Sequence, residues 1–131
     1  MIIPDEDVDV DEENWLDAVN VVQPDLVVIC DKKKLIKQGC LGAPDLAVEI
    51  LSPYTSKKDL NEKFHLFERA GVREYWVIHP LDQALALYLR GSDGKFGSAR
   101  MFQTDQVTVG TLVESHIFPG LTVKLAELFA E

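Results

Sequence analysis

The sequence is short of cysteine, of long apolar runs and of positive charge. Of its 131 residues only two are cysteines, Cys30 and Cys40. They make neither a CxxC pair nor a disulfide framework, so reduced thiols in a cytoplasmic protein are expected. No stretch approaches the roughly 20 apolar residues of a membrane span, and no charged-then-apolar leader opens the chain, so no membrane role is expected. Gly91 and Gly94 fit a turn rather than a phosphate-cradling loop, and His65, His79 and His116 show no ligand spacing. What is present is 47% hydrophobic residues with 27% charged, enough for one domain to bury a core without metal or disulfide staples.

The charge balance is 13 Lys+Arg against 22 Asp+Glu, a net of −9. That argues against a non-specific polyanion binder, because phosphate binding rests on Lys and Arg. The acids are unevenly spread, however. Asp5, Glu6, Asp7, Asp9, Asp11, Glu12 and Glu13 supply seven of the nine net negatives, leaving a net of −2 on the remainder. Cations cluster at Lys32, Lys33, Lys34 and Lys37, and again at Lys57 and Lys58. A small site that cuts nucleic acid is compatible with this distribution.

Two regions are expected. Residues 1–20 form an acidic segment, an edge strand through Val8 and Val10 or a disordered stretch. Residues 21–131 form a single α/β (α+β) domain on a mixed central sheet flanked by helices. Within it, Asp25 to Cys30 reads as a strand beginning after Pro24, which cannot donate a ladder hydrogen bond. Asp31 to Gln38 reads as a loop or short helix. Asp45 to Leu51 is an almost continuous apolar run, as in a strand covered on both faces. A helix follows from about Ser56 to Ala70, with Leu60, Phe64 and Phe67 on one stripe and Gly71 as its stop. Glu74 to His79 and Leu85 to Arg90 pair as a hairpin, and short strands and a final helix from about Val123 complete the chain.

Chemistry is suggested by acids inside strands. Glu49 interrupts an apolar run, where an ionised carboxylate is costly unless compensated. Alternation sets Asp45, Ala47, Glu49 and Leu51 on one face. Asp25 opens the neighbouring strand, and if the two strands are adjacent its carboxylate approaches that of Glu49. A hard divalent cation would relieve their repulsion. Alternatively, Glu49 pairs with a lysine and Asp25 caps a turn.

The blocks Gln23-Pro24-Asp25, Gly39 to Pro53, Asp59, Glu62-Lys63 and Ala70 to Trp76 together resemble the Uma2 family of restriction-endonuclease-like proteins, within the PD-(D/E)xK nuclease superfamily. The similarity spans about Val21 to Arg90. It implies a restriction-endonuclease-like fold in which Asp25 and Glu49 hold Mg²⁺ or Mn²⁺. The superfamily lysine, ordinarily two residues beyond the second acid, is replaced here by Leu51. Lys63 on the following helix matches the family's recurrent lysine and completes the implied catalytic set. Asp45, Ser52 and Lys57 are possible accessories. Members of that family carry a leading helix and a glutamate upstream of the Pro-Asp; residues 1–20 offer no candidate for that helix, so either the chain is a truncated member or a partner covers the sheet, and a homodimer or higher oligomer is expected.

The implied reaction is metal-dependent hydrolysis of phosphodiester bonds, with DNA as the expected substrate. Two alternatives stand beside it: a catalytically inactive nuclease-fold module that dimerises, and a phosphoesterase acting on nucleotides.

Overall fold

A computed structural model of the chain describes residues 2–3, 20–21, 24–36, 39–103 and 112–129. Its centre is a five-stranded sheet of β3 (Leu26–Val28), β6 (Leu46–Ile50), β7 (Glu74–His79), β8 (Ala84–Leu89) and β9 (Arg100–Gln103), in that spatial order. β6 and β7 run parallel and every other neighbouring pair is antiparallel, so the sheet is mixed. A parallel pair needs a crossover, here supplied by helix α1 (Lys57–Ala70). Among the described residues, three two-stranded ladders lie outside this sheet: β1 (Ile2–Ile3) with β2 (Asn20–Val21), β4 (Leu35–Ile36) with β5 (Gly39–Cys40), and β10 (Leu112–Glu114) with β11 (Thr122–Lys124). The expected strand through Val8 and Val10 lies outside the described residues.

Local chemistry accounts for α1. The Ser56 side chain accepts from the Asp59 amide at 3.0 Å, satisfying one donor of the first turn. At the other end Gly71 adopts the left-handed region at φ 102°, and its amide and that of Val72 both reach the Phe67 carbonyl at 3.1 Å. Leu60, Phe64 and Phe67 turn inward between these caps and pack on the sheet.

Strand alternation divides the core into two layers. Ala47, Tyr75, Val77 and Ala86 face α1 together with Phe67, Val72 and Phe96. Leu46, Val48, Trp76, Ile78, Leu85 and Leu87 face the other way, under Val113 and Leu125 from the C-terminal segment. β6 and β7 are therefore covered on both sides, which is why they read as continuous apolar runs.

Glu74 ties the second layer down. Fully buried, its carboxylate accepts from Trp76 Nε1 at 2.8 Å and from the His116 and Ile117 amides at 2.7 and 3.3 Å. Three donors compensate the buried charge and anchor the chain end to the sheet.

One local expectation needs correction. The last helix does not begin near Val123; that residue sits in β11 opposite Val113, and α2 occupies only Leu125–Leu128. The β-branched side chain suits the ladder, where its partner is fully buried. The short-helix reading after Asp31 holds: a 3₁₀ helix at Lys32–Lys34, capped by the Asp31 carboxylate, leads straight into β4. Cys30 and Cys40 are both free thiols.

Candidate active site

Adjacent strands decide where the acids go. Leu26 pairs with Val48 and Val27 with Ala47, and one further step of that antiparallel register sets Asp25 opposite Glu49. Asp25 itself precedes β3. Pro24 offers no donor there, and Asp25 Oδ2 instead accepts from the Ile50 amide at 2.7 Å, pinning the chain to the end of β6. Glu49 lies on the α1 side of its strand and is only 5% exposed.

Lys63 reaches this carboxylate from the helix. Its Nζ donates to Glu49 Oε2 at 3.2 Å. Asp59, one turn earlier on the exposed surface, is not its partner. The other Glu49 oxygen, Oε1, is buried with no hydrogen-bond partner. Burial pushes the Glu49 carboxyl above its ordinary range; Lys63 opposes this and nearby Asp25 adds to it.

Asp25, Glu49 and Lys63 line one cavity of about 170 Å³, together with Thr55, Leu60 and Tyr75. That volume accommodates several water molecules. Thr55 and Lys63 also line a larger groove of about 1060 Å³ that runs along α1 past Tyr54, Lys58 and Arg69. Tyr54 stands 94% exposed at this groove.

The remaining sequence candidates lie apart from the cavity. Asp45 is at the opposite end of β6, about 13 Å away at the usual rise of a strand. Its Oδ2 accepts from the Cys30 amide at 2.8 Å and its Oδ1 lies 3.5 Å from Arg73 Nη1. Burial opposes ionisation there, but the Cys30 hydrogen bond and Arg73 prevail and hold the carboxyl below its usual range. Ser52 builds the turn after β6: its hydroxyl accepts from the Tyr54 amide, and its own amide donates to Thr55 Oγ1 at 3.2 Å. Lys57 is an exposed residue of the first turn of α1.

One lining residue escapes the sequence reading. Tyr75, not singled out by its place in an apolar strand, is fully buried and is one of the residues that line the cavity, and its hydroxyl has no hydrogen-bond partner.

Two carboxylates suit a hard cation such as Mg²⁺, which is held through one or two carboxylates and completes its shell with water and phosphate. Glu49 Oε1, buried and without a hydrogen-bond partner, is a carboxylate oxygen, the donor type such a cation takes. Among the described residues no third Asp, Glu, His or Cys joins them.

The family model described as "Uma2: Putative restriction endonuclease" matches residues 6–126. The chain belongs to the Uma2 family. A crystal structure of "a putative nuclease belonging to DUF820" from Anabaena variabilis is similar to this Uma2 chain, with TM-score 0.55 and 24% identity over 72% of its residues. The match covers 51% of that protein, so the chain spans about half its length, and the likeness is one of fold. A search of curated proteins returned no match.

Proposed function

We propose that this Uma2 chain is a Mg²⁺- or Mn²⁺-dependent nuclease that hydrolyses phosphodiester bonds, with DNA as its substrate. The carrying observation is the buried Glu49 Oε1, which has no protein partner although it shares a cavity with Asp25 and Lys63. An anionic oxygen left in that state is costly unless a ligand completes it.

In this reading Asp25 and Glu49 hold the cation. The cation, when bound, lowers the pKa of water and offsets the charge of the phosphate oxygens. Asp25 keeps one oxygen on the Ile50 amide, so its carboxylate is fixed in direction before any ligand binds. Lys63 stays within reach of the cavity through its contact with Glu49 and is half exposed toward the groove. There its ammonium stabilises negative charge developing at phosphorus. Lys58 and Arg69 line the approach and give a phosphate backbone two further cations, although Lys58 also lies 3.9 Å from Glu62.

The same reading includes a cytoplasmic protein and a homodimer. Leu26 and Ile50 remain 59% and 51% exposed at one end of the sheet, a surface suited to a second copy. Among the described residues no helix is long and apolar enough to cross a membrane.

The test is cleavage of plasmid and linear DNA with Mg²⁺, Mn²⁺ or EDTA, using wild type, Glu49→Gln and Lys63→Met. Cation-dependent cutting that both substitutions reduce by at least about 100-fold supports the assignment. Folded wild type that cuts nothing under any of these conditions selects the inactive nuclease-fold module.

A further inference from the structure

The proposed chemistry makes no use of Tyr75, whose placement is unusual. Its ring is fully buried, but its hydroxyl meets no hydrogen-bond partner. A buried, unpartnered hydroxyl costs stability relative to an apolar group of the same shape. Phenylalanine would fill an ordinary core position better, as Phe64, Phe67 and Phe96 do immediately around it.

The hydroxyl is also fixed in space. Phe67 meets the Tyr75 ring edge-on at 5.0 Å between centroids, and Tyr88 and Phe96 lie nearly parallel to it at 6.1 and 5.9 Å. A ring packed on these sides has little freedom to swing its oxygen toward another partner. Directly beside it in the sheet, its β6 neighbour is Ala47, a small residue two positions before Glu49 on the same face.

Among the described residues the other buried side-chain atom without a partner is Oε1 of Glu49, a residue that lines the same cavity of about 170 Å³. The two atoms do not bond to each other. Each lacks a partner, and the two residues that carry them both line this cavity. Asp25 and Lys63 line that space as well, so its contents meet two carboxylates, one ammonium and one phenol.

We infer that the Tyr75 hydroxyl is the preset hydrogen-bond partner of a water molecule in the hydration shell of a cation held by Asp25 and Glu49, an inference that rests on the metal-dependent reading above. A cation of the Mg²⁺ type keeps several waters and so presents oxygen and hydrogen to such a wall. Tyr75 exchanges no proton in this role. Burial, the negative Glu49 and neighbouring Tyr88 hold it in the neutral form. Outer contacts of this kind tune how tightly a site holds its metal.

The experiment combines Tyr75→Phe with a direct view of the wild-type side chain. The chain has three tyrosines, Tyr54, Tyr75 and Tyr88, so carbon-13 labelling at the tyrosine ring carbon bearing oxygen gives three resonances, and Tyr75→Phe assigns one. Mg²⁺ binding is measured on the same samples by calorimetry. Expected are a Tyr75 resonance that shifts on Mg²⁺ saturation, an unshifted Tyr54, and Mg²⁺ binding about tenfold weaker in Tyr75→Phe. The metal-free melting temperature of Tyr75→Phe is expected to stay equal or rise, because an unpartnered hydroxyl has been removed. A merely structural hydroxyl would behave in the opposite way, with a lowered melting temperature and unchanged Mg²⁺ affinity, and that result overturns the inference. Wild type that binds Mg²⁺ with an unmoved Tyr75 resonance overturns it while leaving the metal-dependent reading intact. Folded wild type that binds no Mg²⁺ overturns both.

Discussion

Lys63 donates to one oxygen of the Glu49 carboxylate at 3.2 Å, while the other oxygen of the same group stays buried and unpartnered. The pair joins α1 to β6 and leaves Glu49, which lines a cavity with Asp25, half satisfied. Removing the lysine leaves the carboxylate without its cation. Lys63→Met is expected to lower metal-free stability at neutral pH by about 1 kcal/mol, a figure discounted from the usual charge-assisted hydrogen bond because the lysine side chain is 39% exposed. Urea denaturation checks this, and an unchanged midpoint would show that the ion pair contributes nothing to the fold.

Some of this site was legible in the residues and some was not. Two β-rich runs with an acid in each made the approach of Asp25 to Glu49 conditional on their pairing, which β3 and β6 supply, and α1 followed from Ser56, Gly71 and the Leu60, Phe64, Phe67 stripe. The inward position of Lys63 also had a signal: with Leu60, Phe64 and Phe67 it completes an i, i+3, i+4, i+7 face, where a charge implies a buried partner. Asp45 misled because strand alternation fixes a face but says nothing of distance along the strand. Nothing local marked Tyr75, since a tyrosine in an apolar strand looks like core until its hydroxyl is located. Glu74 was equally opaque, because the amides that satisfy it lie 42 and 43 residues away.

Asp45 and Glu49 occupy one strand but have opposite effects on stability as pH changes. Asp45 is held below its ordinary value of 3.8, so its ionised form stabilises the fold above that pH, and the contribution is lost as pH falls through its lowered value. Glu49 is raised above its ordinary 4.5, so its contribution is complete below that pH and is lost as pH rises through its raised value. In metal-free buffer at neutral pH, Asp45→Asn is therefore expected to be less stable than wild type and Glu49→Gln more stable, with both differences shrinking below about pH 4. Thermal melts across this range test both signs. A Glu49→Gln variant less stable than wild type at pH 7 would contradict the buried, half-paired carboxylate.

Glu74 lies on the sheet between the core and the C-terminal segment, with its side chain away from the cavity. Glu74→Ala strands the Trp76 indole and the His116 and Ile117 amides in buried or half-buried positions. The expected loss is about 3 kcal/mol of unfolding free energy. Cation affinity is expected to remain as in wild type wherever the variant is folded. Chemical denaturation followed by tryptophan fluorescence measures the first, and calorimetry the second. A loss below about 0.5 kcal/mol would mean that the C-terminal segment is held by its apolar contacts alone.

The central claim is that Asp25 and Glu49 form a cation site. Its most direct test is a calorimetric titration of Mn²⁺ into metal-free wild type and into Glu49→Gln, with circular dichroism confirming that both are folded. Saturable binding by wild type is expected, weakened at least about 100-fold in Glu49→Gln, the scale expected when a ligand of the metal is lost. Folded wild type that takes up no Mn²⁺, or a Glu49→Gln variant that binds it equally well, would contradict the account.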